Sequence, residues 1–489
     1  MVKMFHRKLY LRRFLEVFFL FQLIIPLSNF SCLAQESYVT IDLKKVESFI
    51  VSLQKKDGYF FLYPGSKAGG PWETLLALET LSTIGTNLEK AIDTNTLWRN
   101  LEWHWGYMIN GTWYPGAGIQ AENIISYFLL GMRPPITEKD YFVNLAKESQ
   151  NSDGGIGLYK GGDSSLETTY LTVRALKMLN SLNAVDEEAI FNYVRSKLMN
   201  YSGLWIKDVY YAIATLDLLN RRGENGIGTS KETEIYNWLE NKLGGYSTLR
   251  FDYRSLLYVL ATMKILKGTA RCDEAKVLYF LRRRYDPNTG GFGWPYGNGT
   301  FYVDVFETWY AIKLLELLPN VRIDNYKVKF YVNVTSPYSV ISGSGWYEEG
   351  SAVKLKLRET SLGFLVQKFF DHFEGLSSKD KVVGNGEVEV FVDSPRTIKA
   401  VWRTDYTQLF ILIFIVAVTL LLATRKRKRL QGKLKRELAK YESYLSRLEE
   451  EKKKGTISER AYEILKKEYE KNIERIKKEI EKSESDTKP

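Results

Sequence analysis

The chain has 489 residues, 45% of them hydrophobic and 14% aromatic, with a formal net charge of +11. That length holds more than one domain. The positive charge does not imply a nucleic-acid partner: residues 1–13 carry five Lys/Arg and no acid, residues 425–489 carry 22 basic against 14 acidic side chains, and the remainder sums to −2. Basicity confined to the two ends fits membrane topology better than a phosphate-binding groove, and no DNA- or RNA-binding motif accompanies it.

In chain order, the basic start is followed by an apolar run from Phe14 to Leu27, interrupted by Glu16, and by Cys32-Leu33-Ala34. A charged start, a short apolar core and a small-x-small site predict a secretory signal over residues 1–34, with an uncleaved N-terminal anchor as the competing possibility. Removal of that segment takes Cys32 with it and leaves Cys272 alone, so no disulfide framework is expected in the exported part.

Between Val46 and Pro319 a module recurs six times: an aromatic-rich helix, a Gly-rich turn, and a second helix opening on a carboxylate. The turns include Asp57-Gly58-Tyr59, Asp153-Gly154-Gly155 and Gly290-Gly291-Phe292, and the second helices open at Glu73, Glu122, Glu167, Asp208, Asp252 and Glu307. Consecutive acids stand 49, 45, 41, 44 and 55 residues apart. A period in that range predicts stacked helical hairpins, and six of them suffice to close a ring. The expected fold is therefore an all-α (α/α)6 toroid over residues 42–320.

From Tyr326 to Trp402 apolar and polar residues alternate, with Gly-rich turn clusters at 342–345 and 384–386. This predicts a small antiparallel β module over residues 325–404. Residues 406–424 then form an apolar stretch long enough to cross a ~30 Å hydrocarbon core, with Asp405 before it and Arg425-Lys426-Arg427-Lys428-Arg429 after it. Positive charge stays cytoplasmic, which predicts a single-pass membrane protein with residues 35–405 outside and 425–489 inside. In the tail, Leu434, Leu438, Tyr441, Leu445 and Leu448 step as a heptad seam. Gly455 breaks it and Ser458 is placed to cap a second helix. That pattern predicts a helical hairpin or an arm for self-association or a partner helix through 434–482.

The Gly-Gly-Phe turns and the acid-opened helices with an aromatic residue three positions in (Glu167 and Tyr170, Asp208 and Tyr211, Glu307 and Tyr310) resemble the prenyltransferase and squalene-cyclase repeat. The resemblance implies inner and outer helices around a central cavity. It does not carry the family's chemistry over. The Asp-x-Asp-Asp run of class II cyclases is absent. The exterior offers only Cys272, His104 and His372 for a zinc site, and no Gly-Cys-Gly-Glu-Gln thioester stretch occurs. The β module resembles the small β repeats of many archaeal and bacterial surface proteins, where such repeats act mostly as spacers.

No catalytic residue, metal site or cofactor is assigned from the sequence. An acid in the first helical turn serves as a cap and offsets the helix dipole, worth about 0.3–1 kcal/mol, so the six acids need no ligand to explain them. They nevertheless stand as ligand-binding candidates around one mouth of the ring, with Trp205, Trp294 and Trp309 as stacking surfaces. Asn110, Asn200, Asn298 and Asn333 lie in glycosylation sequons within the segment expected outside. The expected function is a membrane-anchored surface binding or scaffold protein holding an unknown small molecule, glycan or protein. The alternatives are an extracellular toroid enzyme using cavity carboxylates and a purely structural envelope protein.

Overall fold

The structure is a computed structural model, which describes residues 39–67, 69–101, 106–109, 112–245, 253–295 and 301–485. The expected signal segment, Asp252, Asn110, Asn298 and His104 lie outside the described residues. The chain divides into two compact units. The first takes the residues up to Asn333 together with Gly345–Val353 and Phe391–Arg396; the second takes Val334–Ser344, Lys354–Val390 and the residues from Thr397 onward.

The first unit is built from helices in alternation. One set comprises α1 (Leu43–Ser52), α3 (Thr94–Leu101), α5 (Ile136–Glu148), α7 (Glu187–Met199), α9 (Thr229–Gly245) and α11 (Glu274–Arg284). The other comprises α2 (Pro71–Thr83), α4 (Ala117–Leu129), α6 (Leu166–Met178), α8 (Ile206–Leu218), α10 (Tyr253–Lys267) and α12 (Val305–Leu317). The second set touches in cyclic order, α2 on α4, α4 on α6, α6 on α8, α8 on α10, α10 on α12, and α12 back on α2. These inner helices are buried on nearly every face: in α2 each residue from Thr74 to Leu81 is buried. A helix apolar all round is one that has neighbours all round. The first set is amphipathic, α7 burying only Ile190, Phe191, Tyr193, Val194 and Leu198.

Polar side chains at equivalent places lock each turn to its neighbours. The hydroxyls of Thr74, Thr169 and Thr308 accept from the backbone N–H of Phe60, Ile156 and Phe292 at 3.2, 3.0 and 3.0 Å, tying each Gly turn to its inner helix. Gln54 and Gln150 play one role in two copies. Each donates to a turn glycine carbonyl (Gly58, Gly154) and to the carbonyl of Asp93 or Asp186, whose N–H it accepts in return. The turn glycines have positive φ, +85° at Gly58, +91° at Gly154 and +85° at Gly290. Each lies against the outer helix of the next copy, at Leu97, Ala189 and Lys45 respectively. The last of these joins the final turn to the first helix. Lys45 Nζ donates to Pro287 O at 2.6 Å, and Tyr285 Oη bonds the backbone of Asp42. Two turns differ from the expected simple loops by containing β-hairpins, β1 (Gly106–Ile109) with β2 (Thr112–Pro115) and β3 (Gly293–Pro295) with β4 (Phe301–Val303).

After α12 the chain enters β structure. In the first unit β5 (Val321–Asp324), β6 (Lys327–Thr335) and β8 (Gly345–Glu348) pair antiparallel. Arg282 of α11 reaches Glu349 at 2.8 Å in a well-buried ion pair. In the second unit, β7 (Ile341–Ser342) pairs β9 (Ala352–Leu357), and β12 (Lys381–Gly384) pairs β13 (Glu387–Phe391). There too, β10 (Ser361–Leu362) pairs β11 (Gln367–Glu374), which pairs β14 (Arg396–Asp405).

One residue past β14 begins α13 (Thr407–Lys453), a 47-residue helix whose first part is long and apolar enough to cross a membrane. The expected apolar span and first tail helix are thus one continuous helix. It turns at Gly455, and α14 (Glu459–Ser485) packs back along it. The antiparallel sense follows from Lys452 with Glu459, Tyr444 with Tyr469 and Glu437 with Arg475. Leu434, Leu448, Tyr462, Ile473 and Ile476 are the buried residues between the two helices.

Candidate functional site: the centre of the helical ring

A cavity of about 350 Å³ occupies the centre of the ring, within the size range of small-molecule sites, about 300–1,000 Å³. Its wall is mainly aromatic and aliphatic: Trp72 from α2, Tyr170 from α6, Tyr210 and Tyr211 from α8, Tyr258 from α10 and Trp309 from α12. The tyrosine rings pack against one another in tilted pairs, with centroids 5.9 Å apart for Tyr170 and Tyr210 and 5.3 Å for Tyr210 and Tyr258. Tyr170, Tyr210, Tyr211, Tyr258 and Trp309 are each the fifth or sixth residue of their helix, so the inner helices run parallel and bring these positions to one level.

Charge enters the wall at two places. Glu79 of α2 accepts from Arg174 of α6 at 2.8 Å and from the indole N–H of Trp309 at 2.8 Å. Both its oxygens are therefore engaged, by a cation and by a neutral donor. Burial opposes the charge on the Arg174 guanidinium, and the Glu79 carboxylate, through its charge and its hydrogen bond, outweighs that opposition. Lys264, Lys313 and Glu316 also line the cavity, near the C-terminal ends of α10 and α12. Cations there complement the negative ends of the inner helices. Lys313 bonds Glu316 at 2.9 Å and Thr83 at 3.0 Å.

The opposite end carries the acids. Tyr211 donates to Glu167 at 2.9 Å, so its only proton is used, and Tyr258, 3.4 Å away, must donate to the Tyr211 oxygen. Glu167 also meets Lys207 at 3.4 Å. Burial first, then Glu167, then Glu73, pushes the Glu122 carboxyl well above the usual carboxylate range. Glu122 retains only 8% exposure and its side chain has no hydrogen-bond or ion-pair partner among the described residues. Asp208 is raised as well, by burial and by Glu167 against the opposing pull of Lys207. Electrostatic contact thus joins Glu73, Glu122, Glu167 and Asp208 at one mouth. Glu307 is nearly fully buried, pairs with Arg254 at 3.6 Å and is raised by burial and by Asp304.

At two of these helices the side-chain cap expected of the acid is another residue. Ser165 caps α6 through the N–H of Thr168, and Asp304 caps α12 through the N–H of Glu307. No side chain caps α2, α4 or α8, whose caps are Gly70, Gly116 and Trp205. Glu73, Glu167, Asp208 and Glu307 sit inside the first turn, where the dipole still favours them. Glu122 does not open its helix at all: α4 begins five residues earlier at Ala117.

Of the three tryptophans singled out by sequence, only Trp309 lines the cavity. Trp205 is 79% exposed at the α8 cap, and Trp294 is half-exposed beneath the Arg284 guanidinium, 3.3 Å from its ring centroid. Asn200 is exposed and Asn333 lies in β6. Sequence reasoning missed Glu79, Arg174 and Tyr258. The signal for the first two was present as lone charges inside buried helical runs, Leu78-Glu79-Thr80 and Val173-Arg174-Ala175. Burial pushes the Cys272 thiol up to about 12, helped by Glu274 and Asp273, which makes it a poor nucleophile. Among the described residues no cluster of His, Cys, Asp and Glu is arranged to hold a metal ion.

A closed ring of parallel inner helices with a second layer of helices outside defines an α/α toroid. The family model described as prenyltransferase alpha-alpha toroid domain matches residues 18–104 and 199–352, and the helical part of this chain is a prenyltransferase-like toroid. No curated protein matches the chain. Among solved structures, the type II terpene cyclase MstE from Scytonema, in its apo form, is similar at 13% identity with a TM-score of 0.39, covering 56% of this chain and 94% of the cyclase. A variant of that enzyme in complex with its substrate, geranylgeranyl dihydroxybenzoate, is similar at 14% identity and a TM-score of 0.37, covering 55% and 94%.

Proposed function

We propose that this chain is a membrane-anchored surface binding protein whose six-hairpin toroid, outside the cell, holds a small apolar or planar molecule. α13 crosses the bilayer once, and the α13–α14 hairpin lies in the cytoplasm, its seam taken up by the hairpin itself and its outer faces open to a partner. The observation that carries this reading is the aromatic cavity. Its one buried carboxylate, Glu79, is held by Arg174 and Trp309 and is not free to act as an acid or base, whereas the stacked rings offer an apolar contact surface.

The test is native mass spectrometry of the full-length protein from its own host, compared with Ala261→Phe, which fills the cavity from α10. A bound species present in the wild type and lost in the variant is expected. Identical spectra would overturn the reading.

One observation favours a second reading, an enzyme. Burial, then Glu167 and Glu73, push the Glu122 carboxyl well above the usual carboxylate range, and a carboxyl that favours its proton is a candidate general acid toward a bound substrate. Turnover of an added isoprenoid by the wild type, abolished in Glu122→Gln, would replace the binding reading with this one.

A further inference from the structure

The second unit carries a group of exposed apolar residues that the toroid and its cavity do not explain. In the β10–β11 turn, Phe364 is 79% exposed, and Leu365 and Val366 are exposed beside it. Tyr338, Val340 and Tyr406 are exposed as well. Scattered singly, such residues would need no explanation. They are not scattered.

The strand register gathers them at one end of the sheet. β11 begins at Gln367, whose partner on β14 is Asp405, and α13 begins two residues later at Thr407. Strands lie about 4.8 Å apart and rise about 3.3 Å per residue, so a turn of four residues beyond Gln367 lies roughly 10 Å from the start of the apolar helix. Tyr338 joins the same end by packing on Trp402, with ring centroids 5.7 Å apart and nearly perpendicular. Ser336 accepts from the Trp402 indole at 3.0 Å, fixing the 336–340 loop there. Lys368 completes the group, its ammonium 5.1 Å from the Tyr338 ring centroid and donating to Thr404 Oγ1. Aromatic rings with a polar edge, aliphatic side chains and a lysine whose stem lies along apolar surface form the composition that membrane interfaces favour.

We propose that the β10–β11 turn and the 336–340 loop dip into the interface of the outer leaflet beside α13, with Phe364 deepest. This second attachment point restrains the tilt of the β module on the bilayer. The inference rests on α13 crossing that bilayer, and the experiment separates the two.

Full-length protein with Cys32→Ser and Cys272→Ser receives one nitroxide at Phe364→Cys, Ser378→Cys or Thr419→Cys, in nanodiscs of phosphatidylcholine and phosphatidylglycerol. Ser378 lies near the far end of β11, and Thr419 lies within the apolar helix. The expected result is that oxygen relaxes the labels at 364 and 419 more than a water-soluble nickel complex does, with the reverse at 378. A label at 364 that behaves like the one at 378 while 419 stays lipid-exposed would overturn the proposal alone. A water-exposed label at 419 would remove the membrane crossing and the proposal with it.

Discussion

Arg174 and Glu79 meet at 2.8 Å across the centre of the ring, although their helices α6 and α2 are not neighbours in it. α4 stands between them on one side, and α8, α10 and α12 on the other. The pair therefore spans the ring where packing between adjacent helices cannot, and Trp309 joins α12 to the same carboxylate.

Removing one partner leaves the other charge in a largely desolvated wall. Glu79→Leu or Arg174→Leu alone should cost about 3–5 kcal/mol, whereas the double replacement should recover much of that loss. Denaturant unfolding of the four proteins as a double-mutant cycle measures the coupling. Additive losses would mean that the pair does not act as a unit.

Glu122 makes stability depend on pH in a definite direction. Its folded value lies above its unfolded one, about 4.3, so between the two the folded state binds the extra proton. The stabilisation is complete below about pH 4 and is lost as pH rises through the raised folded value. Glu122→Gln keeps the neutral shape without the titration. It should melt higher than the wild type at alkaline pH, with the difference closing toward pH ~4. Equal melting curves across that range would show that Glu122 is ionised without cost in the fold.

Two glycines separate backbone strain from crowding. Gly161 and Gly290 both have positive φ, +78° and +85°, but nothing lies near a side chain added at Gly161, whereas one at Gly290 runs into the backbone of Lys45. Gly161→Ala should cost about 1–2 kcal/mol from the left-handed conformation alone. Gly290→Ala adds overpacking of about 1–3 kcal/mol at the junction of the last turn with the first helix. Melting temperatures that fall equally for the two would show that the junction yields without cost.

Much of the fold was legible because it is repeated. Helices recurring at the spacing of the acids are the ones that touch in a ring, and the Thr and Gly at the turns recur with the same bonds. The alternation after Pro319 and the apolar stretch before residue 425 were equally direct, since each is a one-dimensional pattern. The site was legible in part. Tyr170, Tyr211 and Tyr310 drew notice through their spacing from the acids. Glu79 and Arg174 did not, because they are 95 residues apart and only ring closure brings them together. At α6 and α12 the acid differs from the cap, because an acid near a helix start looks the same in sequence whether it is the cap or lies within the first turn. Ser165 and Asp304 show the difference only once the N–H groups they accept from are known.

The proposed single crossing of the membrane by α13 yields the last prediction. Five consecutive basic residues, 425–429, follow the apolar part of α13, and moving them through a hydrocarbon core costs several kcal/mol. On the proposed topology they stay on the cytoplasmic side with the toroid and β segments outside, and the basic flank draws the α13–α14 hairpin toward anionic lipid. Protease added to intact cells should remove an epitope inserted after Asp324, in the turn between β5 and β6, while an epitope at the C-terminus survives until the cells are permeabilised. Protection of the epitope at 324 in intact cells, with loss of the C-terminal one, would invert the topology and place the toroid inside.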